Sequence, residues 1–256
     1  MDFGFSDDQL SITQALDHLV ERYSVLATGG AAYLQTNAAL DQELDDSGFR
    51  AIAGHEDLGP LEAVLVIEAV GRIPFAAEIS ASALVVPMMT GGAFRGPVAL
   101  ARMVLQAPIR FLAPHGTALI DTGRDVRIVD LARCTVKPVP SFFNYPMGLL
   151  QAFDLQSAPV LENGSPEAFR QWWQLGLAAE IVGAMDSALS VTVSYVKERK
   201  QFGQALGAFQ AIQHRLSECA VLVHSARMLV REAAMSATPQ AAALAAAFTP
   251  DAAARI

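Results

Sequence analysis

The chain has 256 residues, enough for one large domain or two to three small ones with a sizeable core. Its net charge of −8 argues against a nucleic-acid partner. Hydrophobic residues make up 52% of the chain, but no run of about 18 uninterrupted apolar residues occurs, which argues against a membrane span.

The reactive residue types point to no metal centre. Cys134 and Cys219 lie far apart, and the five histidines have no metal-ligand spacing. We therefore predict reduced thiols and no metal site. The first ten residues, MDFGFSDDQL, are acidic and contain neither a basic nor an apolar leader segment. These features predict a cytoplasmic protein.

The N-terminal region is predicted to be helical. Ser6 and Gln9 form a capping box in front of a stripe of apolar residues with helical period. After a break at Gly29–Gly30, a second helix is predicted from Ala38 to Ser47. Gly59–Pro60 opens a third, because proline suits the first turn of a helix.

The third helix is apolar on nearly every face and is expected to be buried. Its Glu68 and Arg72 can be interpreted as catalytic groups, or as an ion pair or cap at the end of a buried helix. We prefer the second interpretation. A further helix is predicted from Ala77 to Thr90.

Residues 108–160 change from a helical period to alternation. Thr122–Gly123 separates Ala118–Asp121 from Val126–Val129, a pattern typical of a β-hairpin. Further strands are predicted over Ile109–Leu112, Thr135–Val139 and Leu149–Leu155. The sequence therefore predicts a small antiparallel β unit between two helical regions.

The last third is predicted to be helical again. Ser165 and Pro166 suit the cap and first position of a long helix that ends near Glu198. Two further helices follow, from Phe209 to about Ser236 and from Thr238–Pro239 onward. The long helix carries small residues that favour close helix packing, namely Gly176, Ala178, Ala179, Gly183 and Ala184.

The segment between these helices, YVKERKQFGQALGAFQAIQ (195–213), combines basic, aromatic and amide side chains around two glycines. Glycines at 203 and 207 allow the chain to stop one helix and turn before the next. An arginine, a ring and amides can grip a phosphate and cover a flat ring. The alternative is a solvated turn with a charged helix end, since Lys and Arg favour helix C-termini.

The run Arg199–Gly203, with Gly207, Phe209, Gln210 and Gln213 and the following helix to Arg227, resembles the signature of the FAD-dependent acyl-CoA dehydrogenase family. The resemblance implies a mainly α fold with three domains, which we place at 1–107 (helical), 108–160 (a reduced β domain) and 161–256 (helical, incomplete relative to the family). It also implies a FAD shared across a subunit interface. The residues expected to contact this FAD are Arg199, Gln201, Phe202, Gly203 and Gln210.

The chain departs from the family pattern where the chemistry is expected. The T-E-x-x-x-G-S-D and W-I-T or W-I-S segments that hold the flavin ring are missing, as is a late Q-x-x-G-G segment. The helical position that supplies the catalytic glutamate in some members falls on Trp173. Glu180, two turns further on, is interpreted as a packing-edge or interface charge. No catalytic residue is therefore identified.

Three functions remain open. In the first, the chain is a partner subunit that completes a FAD site in a homo- or hetero-oligomer with another acyl-CoA dehydrogenase-like chain. In the second, it is a divergent enzyme that itself oxidises a fatty acyl-CoA or sterol side-chain thioester. The third is a catalytically inactive, cofactor-free helical scaffold or interaction protein.

Overall fold

The computed structural model describes residues 4–24, 36–94, 96–103, 107–140, 145–151, 153–162 and 164–256. The predicted break at Gly29–Gly30 lies outside these residues. The fold is mainly helical with small β sheets in the middle of the chain, as the sequence predicts. Its α-helices are α1 (Asp7–Tyr23), α2 (Ala38–Asp46), α3 (Pro60–Gly71), α4 (Val86–Thr90), α5 (Pro166–Glu198), α6 (Gln210–Ser236) and α7 (Pro239–Ala253).

The helix starts follow the caps that the sequence predicts. Ser6 and Gln9 form the capping box of α1, and Ser165 accepts a hydrogen bond from the backbone of Ala168 at the start of α5. The predicted helix from Ala77 to Thr90 begins later, with a π-helical turn at Ala81–Val85 that leads into α4. It begins there because the Glu78 carboxylate accepts the amide hydrogens of Ala81 and Ser82 and so caps this turn.

The β unit contains two three-stranded sheets. The strands are β1 (Val98–Arg102), β2 (Ile109–Arg110), β3 (Thr117–Asp121), β4 (Val126–Asp130), β5 (Thr135–Val139) and β6 (Met147–Gln151). One sheet has the order β1-β3-β4 and the other β2-β6-β5. A two-residue hairpin in the C-terminal region adds β7 (Lys200–Gln201) and β8 (Gln204–Ala205).

The predicted β3–β4 hairpin and strand β5 are present, while three details differ from the expectation. Strand β1 lies before the predicted start of the β unit and pairs with β3 in parallel. Strand β2 ends at Arg110, because Phe111 has a left-handed backbone with φ of 56°. The last strand, β6, occupies 147–151 rather than 149–155.

The first sheet separates two hydrophobic cores. Leu119 packs into the large core that α3 and α5 share, whereas its neighbours Ala118 and Ile120 belong to the smaller core between the two sheets. This alternation along β3 docks the β unit on the helices. By length and composition α5 could cross a membrane, a property that core helices share, and here it packs against α3, α6 and α7.

Candidate functional site

A cleft of about 490 Å³ lies between the β unit, the segment around Ser80 and helix α5. Its walls are mainly apolar and include Val98, Leu100, Ile109, Met147 and Leu177. The charged groups at its edge come from different elements of the fold. The cleft is therefore suited to an apolar ligand with few polar contacts.

Helix α5 forms one wall of the cleft with Trp173, Leu177 and Glu180. These residues are spaced by four and three positions, so they share one face of the helix. The Trp173 ring packs against Phe169, with ring centroids 5.5 Å apart. The position at which the family resemblance implies a catalytic glutamate thus lies in the cleft, but it carries an indole that cannot take a proton from a substrate.

Glu180 lies in the cleft as well, where it joins three elements of the fold. Its Oε2 accepts a hydrogen bond from Arg110 Nη2 at 2.7 Å, and its Oε1 accepts from the Ser80 hydroxyl. The Arg110 guanidinium also lies over the Tyr145 ring, 4.3 Å from its centroid. Glu180 is therefore part of an ion pair between α5 and β2, which the interpretation as a packing-edge charge did not anticipate.

A second carboxylate at the cleft, Glu78, is 4% exposed. It accepts hydrogen bonds from the Ser82 side chain and the Val98 amide, and Arg50 lies 3.7 Å away. Burial raises the pKa of the Glu78 carboxyl, while the Ser82 hydrogen bond and the Arg50 charge act in the opposite direction. With this many donors bound to it, Glu78 holds the π-helical turn against β1.

Glu68 and Arg72 form ion pairs, as we preferred from the sequence. Glu68 lies between Arg231 at 2.9 Å and Arg227 at 3.4 Å, and Arg72 pairs with Asp186 at 3.4 Å. Burial raises the pKa of the Glu68 carboxyl, and the two arginines partly offset this. These contacts join α3, α5 and α6 away from the cleft.

The predicted cofactor contacts lie on the β7–β8 hairpin and beside it, with Arg199 at the end of α5 and Gln210 at the start of α6. Phe202 and Gly203 form its tip, with φ of 52° and 82°. Two positive φ values are those of a type I′ turn, which glycine adopts freely and phenylalanine only under strain. Phe202 is nevertheless 91% exposed, and its ring meets Phe209 edge-on at 6.3 Å. The hairpin thus presents a strained aromatic side chain to solvent.

The polar residues of this motif also face outward. Arg199, Gln201 and Gln210 are exposed, and within the described residues Arg199 has no ion pair. Asp186 lies 13 residues earlier on the same helix, about 20 Å away along the axis, and binds Arg72 and Arg227. Arg199 therefore remains available to an external anion.

The structure does not bring the motif and the cleft together within one chain. Arg199 follows Glu180 by 19 residues on one unbroken helix, a separation of roughly 28 Å along its axis. Trp173 and Glu180 share the cleft, while Arg199, Gln201, Phe202, Gly203 and Gln210 lie at the opposite end of α5. A single ligand site cannot use both groups from the same copy.

Neither Arg110 nor Tyr145 was predicted from the sequence to line a site. Arg110 occupies one position in a short alternating run, and Tyr145 lies in a loop. Their proximity depends on β2 pairing with β6, a contact distant in sequence. An arginine within an otherwise apolar strand was the one available signal.

Comparison with known proteins defines the family. Residues 171–256 match the model of the acyl-CoA dehydrogenase C-terminal domain. The chain is also 30% identical over 215 residues to acyl-CoA dehydrogenase IpdE2 of Mycolicibacterium smegmatis. This match covers 68% of this chain and 69% of that protein. The chain belongs to the acyl-CoA dehydrogenase family.

Solved structures agree with this fold at low sequence identity. The ChsE4-ChsE5 complex from Mycobacterium tuberculosis superposes with a TM-score of 0.68 at 17% identity, over 97% of this chain and 83% of that one. PigA with FAD and proline gives 0.70 at 18% identity, over 100% of this chain and 86% of that one. At these identities the likeness establishes the fold alone.

Proposed function

We propose that this chain is a subunit of an acyl-CoA dehydrogenase assembly, in which its β7–β8 hairpin completes a FAD site held mainly by a partner chain. One observation carries the proposal. Arg199, which has no ion partner among the described residues, and the exposed Phe202 stand at the end of α5 farthest from the chain's own cleft. Such groups can serve a ligand only when another chain supplies the rest of the site.

The residues at the hairpin fit one end of a flavin dinucleotide. A guanidinium that has no ion partner in the described part of the chain suits the pyrophosphate, because hydrogen bonds between charged groups are the stronger ones. Exposed amides and an aromatic face suit the adenosine part. When bound, FAD would accept hydride from an acyl-CoA thioester, while Arg199, Gln201 and Phe202 would bind and orient it.

The chain's own cleft does not fit the flavin ring. The segments that hold the ring in the family are missing from the sequence, and Arg110, Tyr145 and Glu180 stand at the cleft instead. No carboxylate occupies the position of Trp173. We therefore assign the chemistry to the partner chain, and a cytoplasmic location and a fatty acyl or sterol side-chain substrate remain predictions.

The relatives support a partner of the same family. The ChsE4-ChsE5 structure is a complex of two differently named chains, and PigA was solved with FAD. A homo-oligomer would place the hairpin of one copy against the cleft of another. Since that cleft lacks the expected ring contacts, we favour a hetero-oligomer.

The test is co-expression with a full-length acyl-CoA dehydrogenase from the same genome, followed by FAD titration of the purified complex. Arg199→Ala removes a charge-assisted hydrogen bond worth roughly 1.5–3 kcal/mol, so FAD should bind about tenfold to a hundredfold more weakly. Lys197→Ala removes one exposed positive charge from the same helix end and should leave FAD affinity nearly unchanged. Equal FAD affinity in wild type and Arg199→Ala would overturn the proposal and favour the scaffold function.

A further inference from the structure

The cleft has an apolar neighbour on the other side of the Arg110–Glu180 ion pair. This second cavity, of about 320 Å³, lies between the end of α3 and helix α5. Its apolar lining includes Val70, Ile73, Phe75, Ile79, Ile181 and Ala184. Arg110, Phe111, Tyr145 and Glu180 line both cavities. The ion pair and the two rings therefore form a partition between two apolar lobes.

The partition contains an unsatisfied hydrogen-bond donor. Arg110 Nη2 binds Glu180, but the buried Arg110 Nε has no acceptor within the described part of the chain. A buried N–H without a partner is costly, and native proteins rarely leave one unpaired. Because this Nε is buried, a ligand oxygen would remove the cost only if the Arg110–Glu180 pair moved and exposed it.

The backbone beside the partition is strained. Phe111, the residue after Arg110, has φ of 56°, and its ring lies 5.3 Å from the Arg110 guanidinium and 5.9 Å from the Tyr145 ring. Bulky residues rarely adopt this conformation, and such strain concentrates at ligand sites and switch regions. A change at this residue would move the partition.

We propose that Arg110 and Glu180 form a gate within one apolar channel, and that the channel binds an elongated, uncharged molecule whose carbonyl oxygen accepts a hydrogen bond from Arg110 Nε. The two lobes supply apolar surface for the ends of such a ligand. Because Glu180 already neutralises the charge of Arg110, the pair offers no net attraction that would repay the desolvation of an anionic head group. The proposal concerns this chain's own cleft and is independent of the hairpin's role toward FAD.

The ligand class can be tested with three probes of equal chain length, measured on the full chain by displacement of Nile red. The probes are 2-undecanone, undecane and undecanoate. The hydrogen bond should raise the affinity of 2-undecanone relative to undecane by about three- to tenfold over the ratio in a variant that lacks Nε. Undecanoate should bind more weakly than 2-undecanone, because the neutral Arg110–Glu180 pair gives no net attraction to offset the desolvation of its carboxylate.

Two variants separate the roles of the gate residues. Arg110→Met replaces the guanidinium with an unbranched apolar side chain and removes Nε, so the affinity ratio of 2-undecanone to undecane should fall by about three- to tenfold. Glu180→Gln removes the negative charge, so undecanoate should gain affinity relative to 2-undecanone. Arg133→Met is the matched control, since it breaks an exposed ion pair with Asp130 on the same β unit, and it should change neither ratio.

Each outcome decides the proposal. An unchanged preference for 2-undecanone in Arg110→Met would show that Nε does not recognise the carbonyl. Undecanoate bound as tightly as 2-undecanone by the wild type would contradict the role of Glu180. Failure of all three probes to displace Nile red would rule out the channel. If Arg110→Met does not fold, the Glu180→Gln ratios still decide. A complex that holds FAD but binds none of the probes would leave the hairpin's function intact.

Discussion

Gly71 at the end of α3 and Gly183 in the middle of α5 meet backbone to backbone. A Cβ atom on Gly183 would lie 2.9 Å from the Gly71 Cα and would overlap the carbonyl oxygen of Glu68. On the opposite side, a Cβ on Gly71 would lie 2.8 Å from the Glu180 carbonyl oxygen. This close crossing fixes where α5 places Glu180 relative to the cleft and Asp186 relative to the arginines.

Substitution of Gly183 by alanine should therefore destabilise the protein. Glycine to alanine within a helix normally stabilises by about 0.5–1 kcal/mol. Here the added methyl group meets rigid backbone, and overpacking of this kind costs about 1–3 kcal/mol or more. Urea unfolding should show a lower free energy of unfolding for Gly183→Ala. The exposed Ser190→Ala on the same helix should show no such loss, and a stabilised Gly183→Ala would contradict the backbone contact.

Substitution of Phe202 should change FAD affinity while leaving the stability of the fold nearly unchanged. Phe202→Gly relieves the left-handed strain but makes the unfolded chain freer, so the free energy of unfolding should change by less than about 1 kcal/mol. The FAD affinity of the co-expressed complex should fall, because the exposed ring is lost. Phe202→Tyr keeps the ring and should retain FAD. Full retention of FAD by Phe202→Gly would mean that the ring does not contact the cofactor.

The buried Glu78 carboxyl should give a pH-dependent contribution to stability. Burial raises its pKa in the folded protein. Its contribution is therefore fully present below the unfolded value, near 4.5, and is lost as the pH rises through the folded value. The free energy of unfolding of wild type minus that of Glu78→Gln should decrease as the pH is raised from that value toward neutrality, as measured by urea titration at a series of pH values.

The stability contribution of the Asp125 carboxyl should depend on pH in the opposite direction to that of Glu78. Hydrogen bonds from Arg127 and Thr122 lower the pKa of its carboxyl. Its contribution should be present above the unfolded value of 3.8 and lost as the pH falls. The difference between wild type and Asp125→Asn should therefore grow as the pH rises through this range. A difference that changes in the same direction for both variants would contradict the assignment.

The C-terminal helices should form an oligomer interface. Val191 and Tyr195 on α5 are more than half exposed, as are Val221 and Met235 on α6. Exposed apolar side chains on two neighbouring helices are typical of a partner surface. We expect a dimer or larger assembly that buries more than about 1,000 Å².

Sedimentation velocity at micromolar concentration measures this assembly. Val191→Lys should shift the protein toward the monomer. Leu10→Lys, at an exposed apolar position on α1, should not. A monomeric wild type under these conditions would contradict the predicted interface.

The chain alone should not reduce an electron acceptor with straight-chain or branched acyl-CoA thioesters. Trp173 offers no base, and Glu180 is paired with Arg110 and Ser80. A dye-reduction assay of the purified chain, with the co-expressed complex as positive control, measures this directly. Turnover by the isolated chain that Glu180→Gln abolishes would assign Glu180 as a base.

Local signals in the sequence predicted most of the secondary structure. Ser6, Ser165 and Thr238 cap the helices that they were expected to open. Thr122–Gly123 forms the hairpin turn, because this turn depends on adjacent residues. Strand β1 was missed, because a short apolar run such as Val98–Arg102 does not alternate and gains its partner from β3. The delayed helix start at Ala81 depends on Glu78 together with Arg50 and Val98, which no local pattern contains.

The same distinction applies to the function. The run from Arg199 to Gln210 is continuous, so the sequence by itself predicted the family and named the residues that we propose contact a partner's cofactor. The Arg110–Glu180 ion pair joins residues 70 positions apart and exists only because β2 pairs with β6 and α5 crosses α3 at Gly183. The sequence predicts the length of α5, and this length separates the hairpin from the cleft. Tertiary packing decides which side chains face the cleft. Contacts between distant segments depend on the combined burial of many side chains, and no single stretch of sequence encodes that sum.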